Sequence, residues 1–211
     1  DGLKFTRNPT NPIFRPTGDW TCGRAIDADV IVMGSHGQGM LEQVVIGLDL
    51  CPFAGHVVRE NRLRIRFSSA VAEEEVLTDL QEELMLLAAS DPAKIETTLL
   101  CLPELSGEFE DFNELLGLVD LLLEDDAWRG RFQVASFHPG YRFAGTRDRD
   151  PGNLTNRSPV PVLHILRESS VAAAVDTLAD PASIPARNIT VMESLDRRDQ
   201  RRLFPWLFRD G

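Results

Sequence analysis

Between residues 63 and 137 the hydrophobic period of the chain switches repeatedly between two and 3.6, and this alternation limits the fold more than any other feature. Leu63, Ile65 and Phe67 alternate with Arg62, Arg64 and Arg66, the pattern of a half-buried strand. Glu73 to Ala89 then reads as a helix, with Val76, Leu80, Leu84 and Leu87 on one face and Glu73, Glu74, Glu82 and Glu83 weighted toward its N-terminal half. Asp91-Pro92 stops it. Ile95 to Leu102 (IETTLLCL) gives a second strand, Phe109 to Asp126 a second helix with acidic ends, and Phe132, Val134, Ala135 and Phe137 a third strand. Strand, helix, strand, helix, strand at these lengths means two right-handed crossovers, so the three strands should lie parallel in one sheet. The expected fold is a single α/β domain: a small, mainly parallel sheet of three to four strands with helices on both faces.

The 211 residues are enough for one domain with a real core. A net charge of -11 and a pI near 4.8 exclude a general nucleic-acid surface, which needs clustered Lys and Arg. No stretch is long and apolar enough to span a bilayer, and the first thirty residues or so lack a signal-peptide pattern. Cys22, Cys51 and Cys101 form no CxxC pair, which fits a reducing compartment better than a disulfide framework, so a cytoplasmic location is expected.

In open parallel sheets ligands gather outside the carboxyl ends of the strands, and His138 is the first polar residue after the third strand. A His-Pro pair is also a simple strand terminator. From His138 to Arg157 neither period persists, and Gly140, Gly145, Pro151, Gly152, Asn153 and Asn156 punctuate a long loop. Such a loop is usually a binding loop, a lid or disorder; Phe137, Tyr141 and Phe143 give it apolar anchors that disordered segments lack. Ser158 as N-cap, Pro159 at the first position and Val162, Leu163, Leu166 and Val171 at helical spacing predict a helix over 158–178. Its first turn, beside Thr155, Asn156 and Arg157, would suit an anion, with Arg157 as the clamp. His164, Arg167 and Glu168 would share one helix face, either as site residues or as an ordinary solvated ion pair. Upstream, Leu41, Val44, Val45 and Leu48 form a short amphipathic helix running into Cys51-Pro52, so the thiol sits at a helix end or bend. It can be activated by a nearby cation or helix N-terminus, with His56 close in sequence; otherwise it is a small buried hydrophobe.

Residues 1–40 read as a Pro-rich arm followed, from Asp27, by a strand and a glycine-rich turn of the kind that cradles phosphate. This turn resembles the nucleotide-binding turn of universal stress proteins in its Gly34, Gly37 and Gly47, and departs from it at Leu48, where a hydroxyl residue belongs. The resemblance implies Gly34 and Gly37 as cofactor-binding positions, although a remnant of that fold or a fusion scar fits better. A broader resemblance runs through GLDLCPFA at 47–54, ETTLL at 96–100, QVASFHP at 133–139, FAGT at 143–146, TNRSP at 155–159, HILRE at 164–168 and IPARNI at 184–189. In these blocks residues 41–190 are similar to the bacterial domain of unknown function 1415 family, and Cys51, His138, Asn156, Arg157 and His164 fall inside its signatures. Leu154 departs from the aromatic that the family tends to carry. The resemblance brings no reaction with it.

Two functions are therefore expected as alternatives. One is an enzyme with Cys51, His138 and His164 as its centre, as nucleophile and base or as metal ligands, and Arg157 as anion clamp. The other is a noncatalytic protein that holds a small anionic ligand or nucleotide with Asn156, Arg157, Ser158 and Arg167. The sequence specifies no cofactor. The tail, 191–211, carries Arg197, Arg198, Arg201 and Arg202 before LFPWLF and is expected to dock on its own domain or on a second copy as a homodimer.

Overall fold

Four strands, β1 (Leu63–Phe67), β2 (Thr97–Cys101), β3 (Phe132–Phe137) and β4 (Val162–Arg167), pair into one sheet in the order β1-β2-β4-β3. They come from a computed structural model that describes residues 40–51 and 54–208. β1 and β2 are parallel, with Leu63 opposite Thr97 and Phe67 opposite Cys101. β4 runs antiparallel to both β2 and β3, placing His164 opposite Leu99 on one side and Ala135 on the other. β1, β2 and β3 thus share one direction, as the strand-helix alternation requires, but β4 threads between the last two. The sheet is mixed rather than mainly parallel.

The inserted strand replaces the helix expected over 158–178. Val162 to Leu166 are buried without interruption, because a central strand packed on both faces reads as a continuous apolar run. Such a run also contains helical spacings, and short runs of this kind satisfy either period. Pro159 and Pro161 tip the choice, since each disfavours helix at the residue before it. The helix begins only after the strand, as α4 (Glu168–Asp176). It follows α1 (Ala54–Arg59), α2 (Glu73–Ala89) and α3 (Phe109–Leu123), and precedes α5 (Ser183–Ser194) and α6 (Arg197–Leu203).

Each sheet face has its own core. On one face Val76, Leu80, Leu84 and Leu87 of α2 and Phe112, Leu115 and Val119 of α3 pack on Leu100, Phe132, Leu163 and Ile165. Both crossover helices therefore share a face. The other face is covered by the π-helical turn Leu41–Ile46 and by α1, whose Leu41, Val45, Ala54 and Val57 meet Leu63, Leu99, Ala135, Phe137, Val162 and Leu166. Arg64 and Arg66, which alternate with the apolar residues of β1, turn to the α2 side. There Arg64 grips the buried Glu83 through Nε at 2.8 Å and Nη2 at 3.0 Å, and Arg66 reaches Asp79, Glu82 and Glu83. A third cluster joins Leu203 and the fully buried Phe204 to Val44, Leu50, Leu154 and Met192, so the C-terminal segment packs on its own domain. Among the described residues no helix is long and apolar enough to cross a membrane.

Candidate functional site

A cavity of about 530 Å³ opens at the amino ends of β1 and β2, beneath α4. Leu50, Val57, Leu166, Val171, Ala174 and Ile184 form its apolar wall; Arg62, Glu96, Thr97 and Arg167 form a polar end, and Cys51 and His56 also line it. Arg62 is neutralised by Glu96 at 3.2 Å and by Glu60 at 3.0 Å. Arg167 has no carboxylate within salt-bridge distance among the described residues; its Nη2 donates to the Leu87, Ser90 and Ile95 carbonyls at the end of α2 and in the turn that leads to β2. Burial lowers its pKa, with Arg131 adding to the effect and Glu96 and Asp91 opposing it. The lining residues thus include two arginines and one glutamate, with Arg62 already paired to two carboxylates and the Arg167 guanidinium turned to the end of α2.

His164 stands one hydrogen bond behind this cavity. The Thr97 hydroxyl donates to the Ile165 carbonyl at 2.5 Å, so its 2.6 Å contact with His164 Nε2 makes the imidazole the donor. Nδ1 is then an unprotonated nitrogen, buried and with no partner among the described residues. Complete burial keeps the ring neutral, pushing its pKa well below the usual 6.5. The ring is thereby tied into the sheet through Thr97.

At the opposite end of the sheet, His138 caps β3. The Gly140 amide donates to its Nδ1 at 3.0 Å, so the ring proton sits on Nε2. Phe112 stacks on the ring at 5.1 Å and Phe109 tilts against it at 5.6 Å. Burial lowers the pKa to about 4, against a smaller opposing pull from Glu110. The backbone is pinned from the far side of the loop: His138 N donates to Asn156 O at 3.1 Å, and Ser158 N donates to His138 O at 3.4 Å. Asn156 is buried and donates from Nδ2 to Ser136 O at 3.1 Å. Ser158 turns its hydroxyl to Val160 O at 2.5 Å. Arg157 bridges the loop, donating to Tyr141 O at 3.3 Å and to Asp148 Oδ1 at 2.6 Å. The helix start that would have given these residues an anion to hold does not exist, and their polar atoms serve the loop itself.

The residues singled out in the sequence therefore divide between two places. Cys51, His164 and Arg167 gather at or behind the cavity, while His138, Asn156, Arg157 and Ser158 frame the other end. Thr97 lies in the cavity at the first position of β2, and His138 follows Phe137, which pairs with Val162 opposite Cys101, the last position of β2. Four residues of strand separate those levels, ~13 Å at ~3.3 Å each. Cys51, His138 and Arg157 do not share a cleft, so the thiol-imidazole centre with a guanidinium clamp is not assembled. Among the described residues no group of three or more His, Cys, Asp or Glu side chains is placed to hold a metal. Gly34 and Gly37 lie outside the described residues. Arg62, Glu96 and Thr97 were not among the expected site residues. Their signal is weak, because an alternating Arg and a polar pair opening a strand read as ordinary edge residues.

This arrangement defines an α/β protein with a mixed four-stranded sheet and a semi-apolar cavity beside an antiparallel insert. The model of the family described as Protein of unknown function (DUF1415) matches residues 34–202, and the chain belongs to that family. No curated protein and no solved structure matches it.

Proposed function

We propose that the protein binds, without chemical turnover, a small molecule with an apolar body and an anionic head in the cavity at the amino ends of β1 and β2. The observation that carries this is the make-up of the lining: apolar residues from α1, β4, α4 and α5 together with Arg62, Glu96, Thr97 and Arg167. Its size is within the range of ligand pockets, roughly 300–1,000 Å³. The distance between Cys51 and His138 supports a held ligand over a transformed one, although His56 lines the same cavity as Cys51.

The test is thermal unfolding of the full chain with straight-chain monocarboxylates of increasing length and with the matching alcohols. Binding to the folded state alone stabilises by about 2.7 kcal/mol at a hundredfold excess over Kd. Stabilisation should grow with chain length and be larger for acids than for alcohols. Ala174→Trp, which places an indole in the cavity, should abolish it. Stabilisation that is absent for every acid, or undiminished in Ala174→Trp, overturns the proposal.

A further inference from the structure

A second cleft, of about 440 Å³, lies beyond the carboxyl end of β3 and is lined by His138 together with Ser106, Glu108, Phe109, Glu110 and Pro161. His138 is only 6 % exposed, yet one of its ring nitrogens is uncommitted. Nδ1 is occupied by the Gly140 amide. Nε2 has no protein partner among the described residues and is not among the enclosed polar atoms, and His138 lines both this cleft and a smaller pocket of about 130 Å³ that shares Ser106, Gly107, Glu108 and Pro161 with it. The ring cannot swing away, because Phe112 and Phe109 hold it and the adjacent backbone is fixed to residues 156 and 158. A hydrogen-bond donor of fixed tautomer is thus held in the wall of the cleft.

The surroundings say what would accept from it. Glu108 and Glu110 bring carboxylates to the same cleft, and Glu110 is paired with Arg142 at 2.7 Å. The N-terminus of α3, which could otherwise attract an anion, is already filled by its own acids: the Glu108 amide donates to Asp111 Oδ2 at 3.1 Å within a capping box. An anion would meet repulsion. An ammonium group would suit the carboxylates but has no lone pair to offer the imidazole. A hydroxyl does both, accepting from Nε2–H and donating to a carboxylate, and the Phe109 ring and the two prolines of the lining offer apolar faces for C–H groups. The geometry points to a binding site for a small uncharged polyhydroxyl compound, a monosaccharide or cyclitol, with His138 Nε2–H as its central donor.

The experiment follows the His138 ring by long-range ¹H–¹⁵N spectra of the full chain during titration with D-glucose, D-galactose and myo-inositol, with acetate and ethanolamine as controls. The ligand-free spectrum should show Nδ1 unprotonated, and at least one polyol should shift the ring saturably while neither control does. His138→Phe keeps the aromatic stack and removes the donor; affinity read at the Gly107 and Gly140 amides should fall about tenfold, the worth of one hydrogen bond. Ser106→Trp changes an exposed position on the cleft wall and should block the titration without touching the ring's own contacts. The proposal is overturned by a protonated Nδ1, by the lack of saturation with all three polyols, by equal saturation with either control, or by unchanged affinity in Ser106→Trp. The cavity beneath α4 is at the far end of the sheet, so success or failure here leaves the carboxylate test untouched.

Discussion

Lowering the pH from 7 to 5 should destabilise the fold through two buried histidines. His164 is completely enclosed and its pKa is pushed well below 6.5, while burial lowers that of His138 to about 4. The unfolded chain, in which both titrate near the ordinary value of roughly 6.5, therefore binds more protons below that pH than the folded chain does. The stabilisation is complete above about pH 6.5 and is lost as the pH falls. For a histidine that stays neutral in the fold down to pH 5, the loss between pH 7 and pH 5 depends only on the unfolded pKa and comes to about 2 kcal/mol, which applies to His164. His138 contributes about 1 kcal/mol after allowance for solvent screening in the cleft that it lines. Together they remove about 3 kcal/mol, a large part of the ~5–15 kcal/mol typical of a domain. Urea denaturation at pH 7, 6 and 5, followed by tryptophan fluorescence, measures this directly, and stopping at pH 5 keeps most carboxylates ionised. His164→Leu should lose most of the pH dependence and His138→Phe a smaller part, whatever each does to absolute stability. A stability that is level or rises toward pH 5, or a slope identical in both variants, would refute the assignment of two neutral buried imidazoles.

Leu163→Ala removes a fully buried side chain from the central inserted strand and should cost about 3 kcal/mol in the same assay. Glu83→Ala strips the bidentate partner from Arg64 and a second contact from Arg66; because both guanidinium groups can turn to water, the expected cost is about 2 kcal/mol, below the figure for a fully enclosed pair. Asn156→Ala deletes the bond to Ser136 O and should speed hydrogen exchange in the loop around His138 while leaving β1 and β2 protected. Cys101 is fully buried and its thiol pKa is pushed up by burial, so iodoacetamide should reach it only on unfolding, whereas Cys51 in the cavity wall should react in the folded protein and be shielded by a bound acid.

Period and punctuation made β1, α2 and α3 legible because each buries mainly one face, and β2 and β3 because a Pro follows each within two residues. Glu73–Ala89 has the bounds that its apolar stripe predicts, and α3 starts at Phe109 as expected. VLHILR was misread for the opposite reason: with both faces buried, the run has no polar side to announce its period. That one strand carried the site expectations with it. Had residues 158–161 begun a helix, Asn156, Arg157 and Ser158 would have faced its open amides; leading into an inserted strand, they tie the loop to the end of β3. No local pattern announces such a role, since an amide or guanidinium that binds a ligand and one that binds a distant carbonyl are the same residue type.

The insertion of β4 also explains why there are two candidate sites and why they lie at opposite ends. In a purely parallel sheet every strand delivers its following loop to the same edge, which is why ligands collect there. β4 runs against its neighbours, so its carboxyl end, Leu166-Arg167, emerges beside the amino ends of β1 and β2 and leads into α4 there. The cavity wall takes Leu166, Arg167, Ser170 and Val171 from this strand-to-helix passage. His138 likewise follows the carboxyl end of β3. Both places obey the rule strand by strand, and reversing one strand moves one of them to the other end of the molecule. The reversal separates two groups of polar residues that a parallel arrangement would have gathered at one edge.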